Sequence, residues 1–158
     1  MKRAYAILAV LFLLCGFVIS TGSAATDLSG KYVGTGTGVV INSSSGEIII
    51  PPATANVSMT IEQTGHLLIA EYQVLGVDDK PVGDAFYMVG STGDNYISLY
   101  YAGNKKTLGE SVWLEGITTG EVLKPGELGF STVGGGYDKD KNMLFTWTEI
   151  DLLKKVDE

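Results

Sequence analysis

The chain has 158 residues, 11 of them basic and 18 acidic, and its first 25 read as a removable export signal, which leaves 133 residues and one domain's worth of core. Lys2 and Arg3 leave with that segment, so the remainder carries 9 basic against 18 acidic residues, a net charge of −9 that repels a phosphate backbone and excludes nucleic acid as a partner. The single arginine, Arg3, and the single cysteine, Cys15, both fall within it, so the remaining chain has no disulfide, no thiol chemistry and no guanidinium clamp.

Residues 1–25 have the three parts of a secretory signal. Lys2 and Arg3 form a positive start, residues 4–19 are an apolar run interrupted by Gly16, and Ser23-Ala24-Ala25 closes a small, polar end. The run is shorter than the roughly 20 residues that span a bilayer as a helix, which favours cleavage before Thr26 over retention as an anchor. A secreted, periplasmic or cell-surface location follows.

From Thr26 onward, apolar residues recur at every second position in short blocks separated by Gly, Asn, Asp, Ser or Pro. This is the pattern of half-buried strands. Strands are expected over 31–41, 54–63, 66–75, 84–90, 96–102, 111–117, 127–133 and 143–150. The second is the clearest, with Val57, Met59 and Ile61 alternating with Ser58, Thr60 and Glu62. Thr64-Gly65 then turns the chain back through Leu68, Ala70, Tyr72 and Val74, a hairpin. Later junctions are expected at Gly103-Asn104, Thr119-Gly120, Pro125-Gly126 and 134–142. The fold class is therefore all-β, an eight-stranded antiparallel up-and-down barrel over 26–158, since closure removes the edges that would template aggregation.

The first strand carries Gly34, Gly36 and Gly38 on one face. Glycine at alternate positions lets a strand curl or accept a close neighbour. The spacing lacks the lysine of a phosphate loop, and no helix follows.

The block Leu28-Ser29-Gly30-Lys31-Tyr32 resembles the Gly-x-Trp opening of the calycin barrels, which include lipocalins and avidins. Tyr32 stands where those families place Trp, and beyond Arg3 in the leader no arginine is present to pack on it as in lipocalins. Trp147, near the end, is similar to the late Trp of avidins. The resemblance implies a barrel with a ligand cup.

Catalytic signals are few. His66 is the single histidine and follows a turn; without a G-x-S-x-G elbow or a second imidazole it reads as a solvated turn residue. A zinc site would lack its usual His and Cys ligands. Asp138-Lys139-Asp140-Lys141-Asn142 spaces oxygen ligands like a calcium loop, but Met143 occupies the position that needs glycine, so a charged hairpin tip is expected. Asp78 with Asp79, and Glu149 with Asp151, read as solvated acidic turns rather than a glycosidase pair. Asn42 and Asn56 begin glycosylation sequons. No enzyme activity, metal or cofactor is expected.

The aromatic residues say more. Alternation turns Tyr72, Phe86, Met88, Tyr101, Phe130, Phe145 and Trp147 inward with Val57, Ile61, Leu99 and Leu114. These either fill the barrel as core or line a cup for a small apolar or amphipathic ligand, with Tyr72, Phe86, Tyr101, Phe130 and Trp147 as the contact residues. Tyr87, Tyr96, Tyr100 and Trp113 face outward, as cross-strand pairs or as a surface for a second copy or another partner. The polar faces of Ser58, Thr60, Glu62, Glu71 and Gln73 argue against stable membrane insertion of the mature chain. The two functional expectations are thus a ligand-binding barrel and, as the alternative, a structural or protein-interaction module without a cavity.

Overall fold

The computed structural model describes residues 26–76, 78–94, 96–104 and 112–156, so the leader expected over 1–25 lies outside the described residues. Eight strands follow one another: β1 (Gly30–Asn42), β2 (Ile48–Thr64), β3 (Leu67–Leu75), β4 (Phe86–Thr92), β5 (Ile97–Asn104), β6 (Val112–Lys124), β7 (Glu127–Asp138) and β8 (Met143–Lys155). Each pairs antiparallel with its neighbour in sequence, and β8 pairs back onto β1 to close a barrel. No helix occurs among the described residues.

Two-residue alternation decides which side chains fill the interior. In β2, Val57, Met59 and Ile61 are buried while Thr60 and Glu62 are exposed; in β3, Leu68, Ala70 and Tyr72 are buried while Ile69 and Glu71 are exposed. The register sets Met59 opposite Tyr72 and Ile61 opposite Ala70, so the inward residues of the two strands meet. The hairpin turns fall where expected at Gly65 and Gly126, both with positive φ, 60° and 76°, a conformation glycine reaches without steric cost.

Several strands run further than their alternation suggests. Ile48 to Ala53, expected as loop, belong to β2, prolines included. These residues pair with β1 alone because β3 ends opposite Asn56, and Pro51 and Pro52 fall between the Gly38–Ala53 and Val40–Ile50 pairs, where the ladder is interrupted and no donor is required. A shift in register around Val40 absorbs the irregularity. Thr119-Gly120, expected as a turn, continues β6 and pairs with β7; Gly134-Gly135-Gly136, expected as loop, continues β7 and pairs with β8. In each case backbone pairing on both sides outweighs the weak strand preference of glycine.

One end of the barrel is filled. Leu28, Tyr32, Ile61, Leu68, Ile97, Leu128 and Leu153 are all buried there, each contributing about 1.5–3 kcal/mol for a large side chain removed from water. The Tyr32 hydroxyl donates to the Leu28 carbonyl oxygen at 3.0 Å, and the Lys155 Nζ lies 5.9 Å from the Tyr32 ring centroid. Burial of an aromatic ring with its polar tip satisfied stabilises this plug.

Candidate functional site

The other end is hollow. A cavity of about 540 Å³ lies inside the barrel, lined from all eight strands and walled by Tyr72, Met88, Phe86, Tyr101, Phe145 and Trp147. Its rings touch in sequence around the wall: Tyr72 meets Phe86 edge-on at 6.2 Å between centroids, Phe86 meets Tyr101 at 5.3 Å, Tyr101 meets Trp147 at 6.0 Å and Trp147 meets Phe145 at 6.2 Å. These are ordinary separations for favourable aromatic pairs.

Glycine explains why so many rings leave a lumen. Trp147 pairs directly with Gly134, Phe145 with Gly136, and Tyr101 with Gly116. A Cβ at any of the three would overlap the ring opposite. Each ring therefore lies against the wall over a bare stretch of backbone instead of projecting across the barrel.

Beside this wall β8 turns Glu149 and Asp151 into the interior. Glu149 pairs with Gly38 of β1 and Thr132 of β7, and Asp151 with Gly36 and Phe130. A Cβ on Gly36 would stand 2.5 Å from Asp151 Oδ1, 2.6 Å from Glu149 Oε1 and 3.0 Å from the Tyr72 hydroxyl oxygen. The glycine face of β1 is thus the space that admits the two acids. The Tyr72 hydroxyl reaches from β3 to Glu149 Oε1 at 2.8 Å and to Asp151 Oδ1 at 3.0 Å. One hydroxyl has one proton to donate, so both contacts are hydrogen bonds only when a carboxyl supplies the second proton.

The electrostatics agree with a shared proton. Burial pushes the Asp151 carboxyl up to about 7, with the charge of Glu149 adding to the shift and the Tyr72 bond opposing it. Burial raises Glu149 as well, again against the Tyr72 bond. The Tyr72 and Tyr101 hydroxyls are raised by burial and remain donors. No lysine among the described residues pairs with either acid. Lys141 lines the mouth, where Asp138 holds it at 3.1 Å. Glu149 and Asp151, expected as solvated turn residues, are therefore part of the interior. The signal for this lay in β8 itself, because the alternation that turns Phe145 and Trp147 inward also turns in 149, 151 and 153 once the strand runs past 150.

Four of the five residues expected to contact a ligand, Tyr72, Phe86, Tyr101 and Trp147, line the cavity. Phe130 does not; it is buried with its ring over Gly120. Tyr87, Tyr96, Tyr100 and Trp113 are exposed on the outer surface, yet they do not form one stripe. Tyr100 stands in a different row, in which Ile69, Val89, Tyr100, Ile117 and Val133 lie directly opposite one another from β3 to β7. Tyr87 is opposite Glu71, and Trp113 is opposite Tyr137.

His66 sits in the exposed β2–β3 turn with Nδ1 2.9 Å from the Thr92 carbonyl oxygen. The segment after Asp138 is a hairpin tip, where Asp138 accepts the backbone N–H groups of Asp140 and Lys141 at 3.1 Å. Among the described residues no three His, Cys, Asp or Glu side chains gather as metal ligands would.

No protein-family model and no curated protein matches this sequence. Among solved structures, the chain is similar to a protein of unknown function from Bacteroides ovatus, at 10% identity over 81% of this chain and 42% of that one, with a TM-score of 0.38. It is also similar to a protein of unknown function from the DUF3598 family of Nostoc punctiforme, at 10% identity over 82% of this chain and 48% of that one, with a TM-score of 0.39. The chain spans less than half the length of either.

Proposed function

We propose that the barrel binds a small apolar or amphipathic organic molecule in its open end. The observation that carries this reading is the cavity of about 540 Å³ with its continuous aromatic wall, a size ordinary for small-molecule sites. Barrels of eight strands can fill their interior with side chains, and this one does so at its other end; the glycines behind Trp147, Phe145 and Tyr101 keep the open end from filling. The calycin-like opening at Leu28 to Tyr32 supports the same reading. With the leader-like segment over 1–25, the protein is read as an exported binding protein rather than an enzyme.

Trp147 reports on the cavity and Trp113 on the outer surface. In a Trp113→Phe background, titration with the neutral apolar probe N-phenyl-1-naphthylamine and with n-decanol should change the remaining indole emission saturably. The same ligands should leave the emission of a Trp147→Phe protein, which retains Trp113, nearly constant. No saturable response from Trp147 to either ligand would overturn the reading.

A second reading, association with another copy of the chain, is favoured by the exposed row from Ile69 to Val133. It is compatible with the first because the row is outside and the cavity inside.

A further inference from the structure

We infer that the ligand of this cavity carries an amine, whose cationic nitrogen sits between Glu149 and Asp151 while its apolar body lies against Phe86, Tyr101 and Trp147. The inference deepens the proposed ligand-binding function and rests on it.

The cavity supplies two different surfaces. Its wall is aromatic, which suits an apolar body and also the face-on approach of an organic cation. Its inner side presents two carboxyls from one strand, adjacent on the same face of β8, and Asp151 is 1% exposed. Buried carboxylates are normally paired with a cation, because an isolated charge in a poorly solvated interior is expensive. Here no lysine among the described residues pairs with either acid, and the single arginine, Arg3, lies outside the described residues. Tyr72 offers one proton to two acceptors, and with one further proton shared between the acids the pair keeps a single negative charge that no cation among the described residues answers. An ammonium group has several N–H donors and a positive charge, and it meets both deficits in one step.

The same arrangement selects against other ligands of similar shape. A carboxylate head, as in a fatty acid, would meet two acids of its own sign. A calcium or magnesium ion would find few oxygen donors among aromatic walls, whereas such ions take six or more. A neutral alcohol would satisfy one hydrogen bond and leave the charge unanswered. The glycines at 36 and 38 fit this assignment, since they keep space beside the two acids that any larger side chain would occupy.

The test is calorimetric titration of the full-length protein with n-decylamine, n-decanol and decanoate below their aggregation limits at pH 7.5. Decylamine is expected to bind one per chain, at least tenfold more tightly than decanol, with decanoate weakest. In the isosteric double variant Glu149→Gln/Asp151→Asn, the ratio between amine and alcohol should collapse toward one. Equal affinity of wild-type protein for decylamine and decanol would overturn the amine assignment and leave the cup reading intact. Binding of none of the three would overturn the cup reading itself. An amine preference that survives in the double variant would also overturn the assignment, by placing the cation elsewhere on an acidic protein. The wild-type series decides the question alone where the double variant does not fold.

Discussion

Asp151 holds its proton far above the ordinary carboxyl range, and that coupling reaches the stability of the whole barrel. Its pKa is 3.8 in the unfolded reference and about 7 in the fold, raised first by burial and then by Glu149. Glu149 is raised in the same direction, again by burial. A group whose folded pKa is higher contributes fully below its unfolded pKa, and that contribution is lost as pH rises through the folded one. The groups that face the pair are Tyr72 from β3 and Tyr101 from β5, both held protonated, while β1 presents Gly36 and Gly38 and β7 presents Phe130 and Thr132. Stability should therefore fall between about pH 4 and pH 7 and level off beyond. Asp27, Glu127 and Asp138 have lowered values and act oppositely, weakening the fold as pH falls below the ordinary carboxyl range. The thermal midpoint should peak near about pH 4 and drop by several degrees toward pH 8, a loss on the order of 1–3 kcal/mol. Asp151→Asn should flatten most of that drop when both proteins are followed by calorimetry from pH 4 to 9. A variant that falls as steeply as wild type would locate the titration elsewhere.

At the level of strands, the consequence of alternation is sharpest in β2. Met59 is 1% exposed and its neighbour Thr60 faces water. Met59→Asp should remove several kcal/mol, on the order of the entire stability of a small domain, because the new carboxylate has no partner inside. Thr60→Asp should cost less than about 1 kcal/mol. Urea midpoints measured side by side check the contrast, and equal midpoints would contradict the register. Inward and outward faces were legible in this way because burial imposes a period of two wherever a strand has one wet side. Strand ends were not, since Pro51, Pro52, Gly120 and the glycines 134–136 carry weak or contrary local preference and owe their place to partners distant in sequence. The same limit hid the acid pair. Trp147, Tyr72, Phe86 and Tyr101 were readable as inward from apolar alternation, whereas Glu149 and Asp151 occupy the same inward positions of β8 with acidic side chains, whose burial becomes intelligible only beside Gly36, Gly38 and Tyr72, which the closed barrel brings to them.

For the molecule as a whole, the outer surface poses the remaining question. Ile69, Val89, Tyr100, Ile117 and Val133 run across five neighbouring strands with each residue directly opposite the next, and each is about half exposed. Scattered apolar residues are normal on a protein surface, whereas a contiguous row in register is a candidate contact surface. A second copy is the occupant to test first, because closed symmetric pairs of one chain are the commonest assemblies. Charge opposes such a pair: the chain is acidic overall, and two copies repel unless salt screens them. Association through an apolar row on an acidic protein should therefore strengthen as ionic strength rises, the reverse of a contact built on ion pairs. Sedimentation velocity at tens of micromolar protein should show a dimer whose fraction increases between 0.05 and 0.5 M sodium chloride, screening lengths of roughly 14 and 4 Å. Ile117→Lys, at the centre of the row and outside the cavity, should shift the protein to monomer at every salt concentration while the Trp147 response to decanol persists. A wild-type protein that sediments as a monomer throughout would remove the oligomer reading. A dimer that ignores Ile117→Lys would move the contact to another face, with the corner formed by Trp113 and Tyr137 as the next surface to substitute.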